Sequence, residues 1–204
     1  MDKRTLLSSL LVMVVLLFSV SAQEFPQYTD KYVNDYAGIF SSSQVNDLRT
    51  LLSGVDQETT AEFVVVTVAK CDPFAPSQYA NELFNQWKIG KQDKNNGLLV
   101  LYCKQENKIW VEVGYGLEGI LPDSKVGRML DDYYVPLRDK GNVTGGILLF
   151  SDQVANVLRE NKQEIISGRA SPSDGSSDWI FFAFIVFVIL LLIIFFKINK
   201  QARS

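Results

Sequence analysis

The sequence predicts an α/β domain, a small mixed β-sheet covered by helices, and three features carry that prediction. Residues 62–69, EFVVVTVA, and 97–103, GLLVLYC, are almost continuously apolar, as strands buried on both faces are. The stretch between them has helical spacing, so the two strands should be parallel and joined by a right-handed crossover. Polar QENK then turns the chain into KIWVEV, residues 108–113, and so short a turn makes this third strand antiparallel to the second.

The domain opens with a helix. In SSSQVNDLRTLLSGV, Ser41 can accept from the amide of Gln44 while the Gln44 side chain reaches back, a capping box. Val45, Leu48, Leu51, Leu52 and Val55 then recur on one helical face. The crossover helix starts at Pro76 and Ser77 and puts Tyr79, Leu83, Phe84 and Trp87 on one face, which reads as core. After KIWVEV and a glycine loop, Val126, Met129, Leu130 and Tyr133 mark a helix. Another runs from about Gly146 to Ile166 with Ile147, Phe150, Val154 and Val157 inward.

The ends set the location. Residues 1–22 carry Lys3 and Arg4, an apolar run from Leu6 to Val20, and small residues at Val20 and Ala22. This is the pattern of a cleaved secretory signal, or otherwise of an N-terminal anchor. Trp179 to Phe196 is apolar and free of charge. At ~1.5 Å per residue it nearly covers a ~30 Å hydrocarbon core, as a single transmembrane helix does. Lys197, Lys200 and Arg203 keep the tail, 197–204, in the cytoplasm, which leaves the domain at 23–166 outside. The Ser/Gly/Pro/Asp-rich residues 167–178 read as a flexible tether.

Composition narrows the chemistry. A net charge of −3 offers no basic footprint for nucleic acid. The chain has no histidine, which excludes Ser-His-Asp and Cys-His catalysis and His-ligated zinc. Cys71 and Cys103, at the ends of strands expected to be parallel, suit a disulfide in an oxidising compartment, or a pair of small buried hydrophobes.

Gly114, Gly116 and Gly119 spell G-x-G-x-x-G, the outline of a dinucleotide turn. The context is wrong for one. The motif follows an antiparallel strand, Glu118 lies inside it, and Pro122 and Asp123 intervene before the helix. The glycines instead suit a sharp turn and a close backbone approach. Hard cations take carboxylates, amide oxygens and carbonyls. The hairpin should bring Asn95 and Asn96 of GKQDKNNG, which also holds Asp93, beside Gly114–Glu118. Plain alternatives stand beside this: Asp123 as a helix cap, Asn95–Asn96–Gly97 as a turn, Glu118 as a solvated carboxylate.

The segments YVNDYAGIFSSSQ, EFVVVTV, YANELFNQWKIGKQDKNNGLLVLYC and KIWVEVGYGLEGILPD, followed by a helix ending near Pro136, resemble the TPM domain family over residues ~32–160. The family is named for a thylakoid lumen protein, a photosystem II-associated protein and a nematode modulator of levamisole receptors. The resemblance implies a Rossmann-like α/β/α sandwich with helices on both faces of the sheet, and often a signal sequence and a membrane anchor. It also implies calcium binding in some members, and acid phosphatase activity has been assigned to a plant member. Carried over by motif, the implied metal-site positions are Asp35 from VNDYAG, Asn95 and Asn96 at N-N-G, Glu118 from GYGLEG and Asp123 from LPD. Asn95 and Asn96 stand where many members carry aspartates, and Trp110 where a basic residue is common. The functional expectation is a tethered, calcium-binding accessory module for assembly, maintenance or modulation of a membrane protein complex. The alternative is a metal-dependent acid phosphatase.

Overall fold

The structure is a computed structural model and describes residues 25–168. The expected signal segment at 1–22, nearly all of the tether at 167–178, the apolar run at 179–196 and the tail at 197–204 lie outside the described residues. Among the described residues no helix is long and apolar enough to cross a membrane.

A four-stranded sheet is built in the order β1 (Val33–Asp35), β2 (Glu62–Val68), β3 (Gly97–Cys103), β4 (Lys108–Val113). β1 and β3 run parallel to β2, and β4 returns antiparallel to β3. The strands expected at 62–69, 97–103 and 108–113 are all present, and the mixed sheet is as the sequence predicts. β1 is the element missing from that reading. It has three residues, too few to show a period of two, and Tyr36–Gly38 follow at once.

Helix α1 (Ser42–Thr59) begins with the capping box: the Gln44 amide donates to Ser41 Oγ at 3.3 Å, and the Ser41 amide to Gln44 Oε1 at 2.9 Å. Leu48, Leu52 and Val55 pack with Phe63, Val65, Leu98 and Val100 on one face of the sheet. Helix α2 (Pro76–Trp87) puts Tyr79, Ala80, Leu83 and Trp87 against Val64, Val66, Leu99 and Leu101 on the other face. Alternate residues of β2 therefore serve separate cores, and the run EFVVVTV needs no polar face.

β1 to β2 and β2 to β3 step the same way along the sheet, yet α1 and α2 cover opposite faces. Two such crossovers cannot share one hand. The right-handed rule holds for ≈98% of crossovers, so one of this pair is an exception.

The α1 side is completed by α3 (Asp123–Met129), a π-helical turn at Leu130–Tyr134, α4 (Val135–Arg138), α5 (Val143–Glu160) and α6 (Lys162–Ser167). The wide turn falls just before Pro136, which has no amide to donate into the helical ladder. The long helix expected from about Gly146 to Ile166 is two: α5 starts earlier, where Asn142 accepts from the Gly145 amide at 3.0 Å, and it breaks at Asn161. Gly145 and Gly146, poor helix formers, hide that start.

Cys71 and Cys103 form a disulfide with a Cα–Cα distance of 5.6 Å, fully buried on the α2 side. It ties the loop after β2 to the last residue of β3. Glu106 Oε1 holds the same loop by accepting from the amides of Cys71 and Asp72, each at 3.1 Å.

Candidate functional site

The sheet has two ends, and the expected site residues divide between them. At the amino end of the parallel strands, the loop before β3 meets the loop after β4. The Gly116 amide donates to the Asn95 carbonyl at 2.9 Å, and the Gly114 amide to the Gly97 carbonyl at 2.8 Å. A Cβ on Gly114 would sit 2.3 Å from the Asn95 oxygen, and one on Gly116 would sit 1.9 Å from the Lys94 oxygen. These glycines therefore admit the backbone of the opposite loop. The hairpin does bring Asn95 beside Gly114–Gly116, through main-chain contacts.

The side chains at this end do other work. Asn96 is buried; its Nδ2 donates to the Thr60 carbonyl at 2.7 Å, and its Oδ1 accepts from the Lys91 amide at 3.0 Å. Its carboxamide stitches the α1–β2 turn to the Gly90–Lys91 turn, leaving a cation no accessible oxygen there. Asn95 takes a left-handed backbone at φ 47 and is exposed. Glu118 ends the short 3-10 turn Tyr115–Leu117 and is exposed; Asp123 opens α3, is exposed as well, and lies away from this loop, beside Ile109, Trp110 and Val111 of β4.

Asp35 stands at the opposite end. It is in register with Thr67 and, through β2, with Tyr102, six residues along β3 from Asn96. At ~3.3 Å per residue that separates Asp35 from the asparagine loop by ~20 Å. Asp35 thus shares no coordination shell with Asn95, Asn96, Glu118 and Asp123, contrary to the set implied by sequence. Among the described residues no group of three or more His, Cys, Asp or Glu side chains is placed to hold a metal ion.

The carboxyl end is nonetheless where open α/β sheets bind ligands, at the point where neighbouring strands send their chains to opposite faces. β1 leads to α1 and β2 towards α2, so that point lies between Asp35 and Thr67. Asp35 accepts from the amides of Ile39 at 3.1 Å and Phe40 at 2.9 Å, and from the Thr67 hydroxyl. Thr67 Oγ1 in turn accepts from the Ala37 amide at 3.2 Å, and Lys104 Nζ donates to the Ala37 carbonyl at 3.2 Å. Thr67 and Lys104 are the participants the sequence reading missed. Thr67 is the one polar residue in FVVVTV, residues 63–68, and that break in an apolar run is the signal that could have found it.

The two carboxyl groups whose pKa is shifted lie on or against the amino-terminal segment. Burial alone would raise the Asp56 carboxyl, but Lys31 at 2.5 Å, the Tyr32 hydroxyl and Lys91 hold it below the usual carboxylate range. Asp30 is treated alike: burial is outweighed by the amides of Val33 and Tyr32 and by Arg49 at 3.0 Å, so its carboxyl is also lowered. Tyr28 stacks on Trp87 with centroids 4.6 Å apart; burial and the neighbouring Glu62 carboxylate push its phenol upward. These pairings bind residues 28–32 to the domain and place no reactive group in a cleft.

The family model for the TPM domain matches residues 33–157, from β1 to the last turn of α5. The chain belongs to the TPM domain family. The TPM fold is also seen in the N-terminal domain of a P. gingivalis protein, solved in solution. That domain is 30% identical, with a TM-score of 0.61 over 65% of this chain and 85% of its own. The N-terminal domain of the cg2496 protein from Corynebacterium glutamicum, at 18% identity and a TM-score of 0.50, covers 76% of this chain and 90% of its own. The BA42 protein from Bizionia argentinensis, at 13% identity and 0.52, covers 60% and 83%. The last two share the fold alone. No curated protein matches the chain. The matched TPM region contains both ends of the sheet, the glycine contacts and the Asp35–Thr67 pair.

Proposed function

We propose that this TPM domain is a non-catalytic accessory module, tethered to a membrane with the domain outside the cytoplasm. Its role is the assembly, maintenance or modulation of a membrane protein complex. The observation that supports a binding role over hydrolysis is the engagement of Asp35. The carboxylate best placed for chemistry, at the carboxyl end of the parallel strands, takes hydrogen bonds from its own loop and from Thr67. A general base or metal ligand for hydrolysis needs an oxygen aimed at substrate or ion. Calcium, if part of the function, falls to the exposed Glu118 and Asp123.

Protease added outside intact cells or spheroplasts should remove the domain and spare a tag on the C-terminal tail. Crosslinking of the intact protein in its native membrane should capture integral membrane proteins. A domain protected until the membrane is broken defeats the proposed topology. Phosphomonoester hydrolysis by the full-length protein that is lost in both Glu118→Ala and Asp123→Ala would replace this reading with metal-dependent hydrolysis.

A further inference from the structure

β4 closes one side of the sheet and is an open edge. Its pairing with β3 decides which main-chain groups face out. The Gly114 amide donates to the Gly97 carbonyl, so Gly97 and Gly114 are a hydrogen-bonded pair, and such pairs alternate along an antiparallel ladder. Leu99–Glu112, Leu101–Trp110 and Cys103–Lys108 continue that series. The N–H and C=O groups of Ile109, Val111 and Val113 therefore point away from β3. Among the described residues no hydrogen bond reaches them. Trp110 is 41% exposed on this edge. Helix α3 stands off it across a cleft of about 270 Å³ lined by Ile109, Trp110, Val111, Asp123, Val126 and Gly127.

We propose that this edge pairs with β4 of a second copy, antiparallel about a two-fold axis at Trp110, joining two four-stranded sheets into one. The charge pattern of the strand selects this register. Outward groups must meet outward groups, so Ile109, Val111 and Val113 oppose one another, as do Lys108, Trp110 and Glu112. Centred on Trp110, Lys108 lies opposite Glu112 of the second copy, Glu112 opposite its Lys108, and Ile109 opposite its Val111. Centred on Val111, Lys108 meets Gly114 and the ion pairs are lost. Centred on Lys108 or on Glu112, that central charge meets its own copy and the Lys108–Glu112 pairs are lost. Centred on Ile109, Glu112 meets Glu106. Opposite charges across a ladder stabilise it and like charges destabilise it, most where side chains are closest, at the pairs without main-chain hydrogen bonds. Lys108, Trp110 and Glu112 occupy those closer positions. Glu112 is held on the same face of the strand as Trp110: Asn81 Nδ2 donates to it at 2.8 Å and Trp110 Nε1 at 3.1 Å. The pairing is isologous and closed, the common form for a homodimer, and it removes an exposed edge.

The test uses the full-length protein in its native membrane. Trp110→Cys under mild oxidation should give a disulfide-linked dimer, because self-opposed Cα atoms at such a pair lie ~4.5 Å apart, within disulfide reach. Ile109→Cys, opposed to Val111, should not crosslink to itself. In mild detergent, Lys108→Glu and Glu112→Lys should each weaken the dimer about tenfold, and the double exchange should restore it. A monomeric wild type, a Trp110→Cys protein that crosslinks only to other proteins, or a dimer that ignores both reversals overturns the proposal. The crosslink decides the matter even where a reversal variant fails to fold.

Discussion

At the amino end of the sheet the two hairpin loops meet through main-chain atoms, with Gly114 and Gly116 against the carbonyls of Lys94 and Asn95, while the Asn96 carboxamide joins the turns beside them. At the carboxyl end the loops are held by side chains: the Cys71–Cys103 disulfide, Glu106 on two amides, and Asp35 on two amides and a hydroxyl. The contrast shows that similar acidic and glycine-rich motifs can serve closure of the fold at both ends. A main-chain contact fails when a methyl group is added. A side-chain contact fails when an acceptor or a bond is removed.

The largest expected effect is at the carboxyl end. The disulfide closes a loop with a sequence separation of 32, and Cys103→Ser should lower stability by about 3–4 kcal/mol on loop-closure grounds, read by urea unfolding. A loss below about 1 kcal/mol would mean that Glu106 and packing hold the loop unaided. At the amino end Gly116→Ala should cost about 3 kcal/mol, since the new methyl collides with a carbonyl oxygen fixed in a paired loop. Gly127→Ala, where a Cβ meets nothing within 4 Å, is the matched control and should be neutral or slightly stabilising. Asp35→Ala should cost about 2 kcal/mol by orphaning two amides and the Thr67 hydroxyl, and Asp35→Asn about half as much.

The pH dependence comes from the outer rim of the amino end. Asp30 and Asp56 have lowered carboxyl pKa values in the folded state. Their contribution is fully present above the unfolded carboxylate pKa and is lost as pH falls through the folded values. Thermal stability should therefore decline on acidification below the ordinary carboxylate range, and Asp56→Asn should flatten that decline. An unchanged slope would show that the pairing with Lys31 and Lys91 has no thermodynamic weight. The smallest effect expected is that of calcium. With Asp35 ~20 Å from the asparagine loop, millimolar calcium against chelator should move the melting temperature by less than about 1 °C. A larger rise that disappears in Glu118→Ala and Asp123→Ala would restore a cation site at those two carboxylates.

The sheet was legible because β2 and β3 are buried on both faces and leave almost uninterrupted apolar runs. The short QENK connection settled the direction of β4. The placement of Asn95 beside the glycine loop followed from the hairpin alone. β1 was not legible, and its absence misplaced Asp35. A three-residue strand carries no period, and its partner was fixed by the pairing of Val33 with Val65, which only the tertiary fold reveals. The opposite hands of the two crossovers were hidden for the same reason, since they depend on where β1 lies.

The division of the core into two layers also sets an order of completion during synthesis. The α2-side layer draws its buried residues from Val64 to Cys103, with Phe25 packed against it, so it can close once β3 has emerged. The α1-side layer needs Ile147, Phe150, Val154, Leu158 and finally Ile165 to cover Leu48, Leu52, Val55 and Phe63. Gln44 meets Thr144 across 100 residues of chain, and Glu58 meets Arg159 across 101. An emerging chain therefore carries the α1-side layer, the larger of the two, incompletely covered until almost the whole domain has been made. Chains stopped before α5 should be the species that associate wrongly or are degraded.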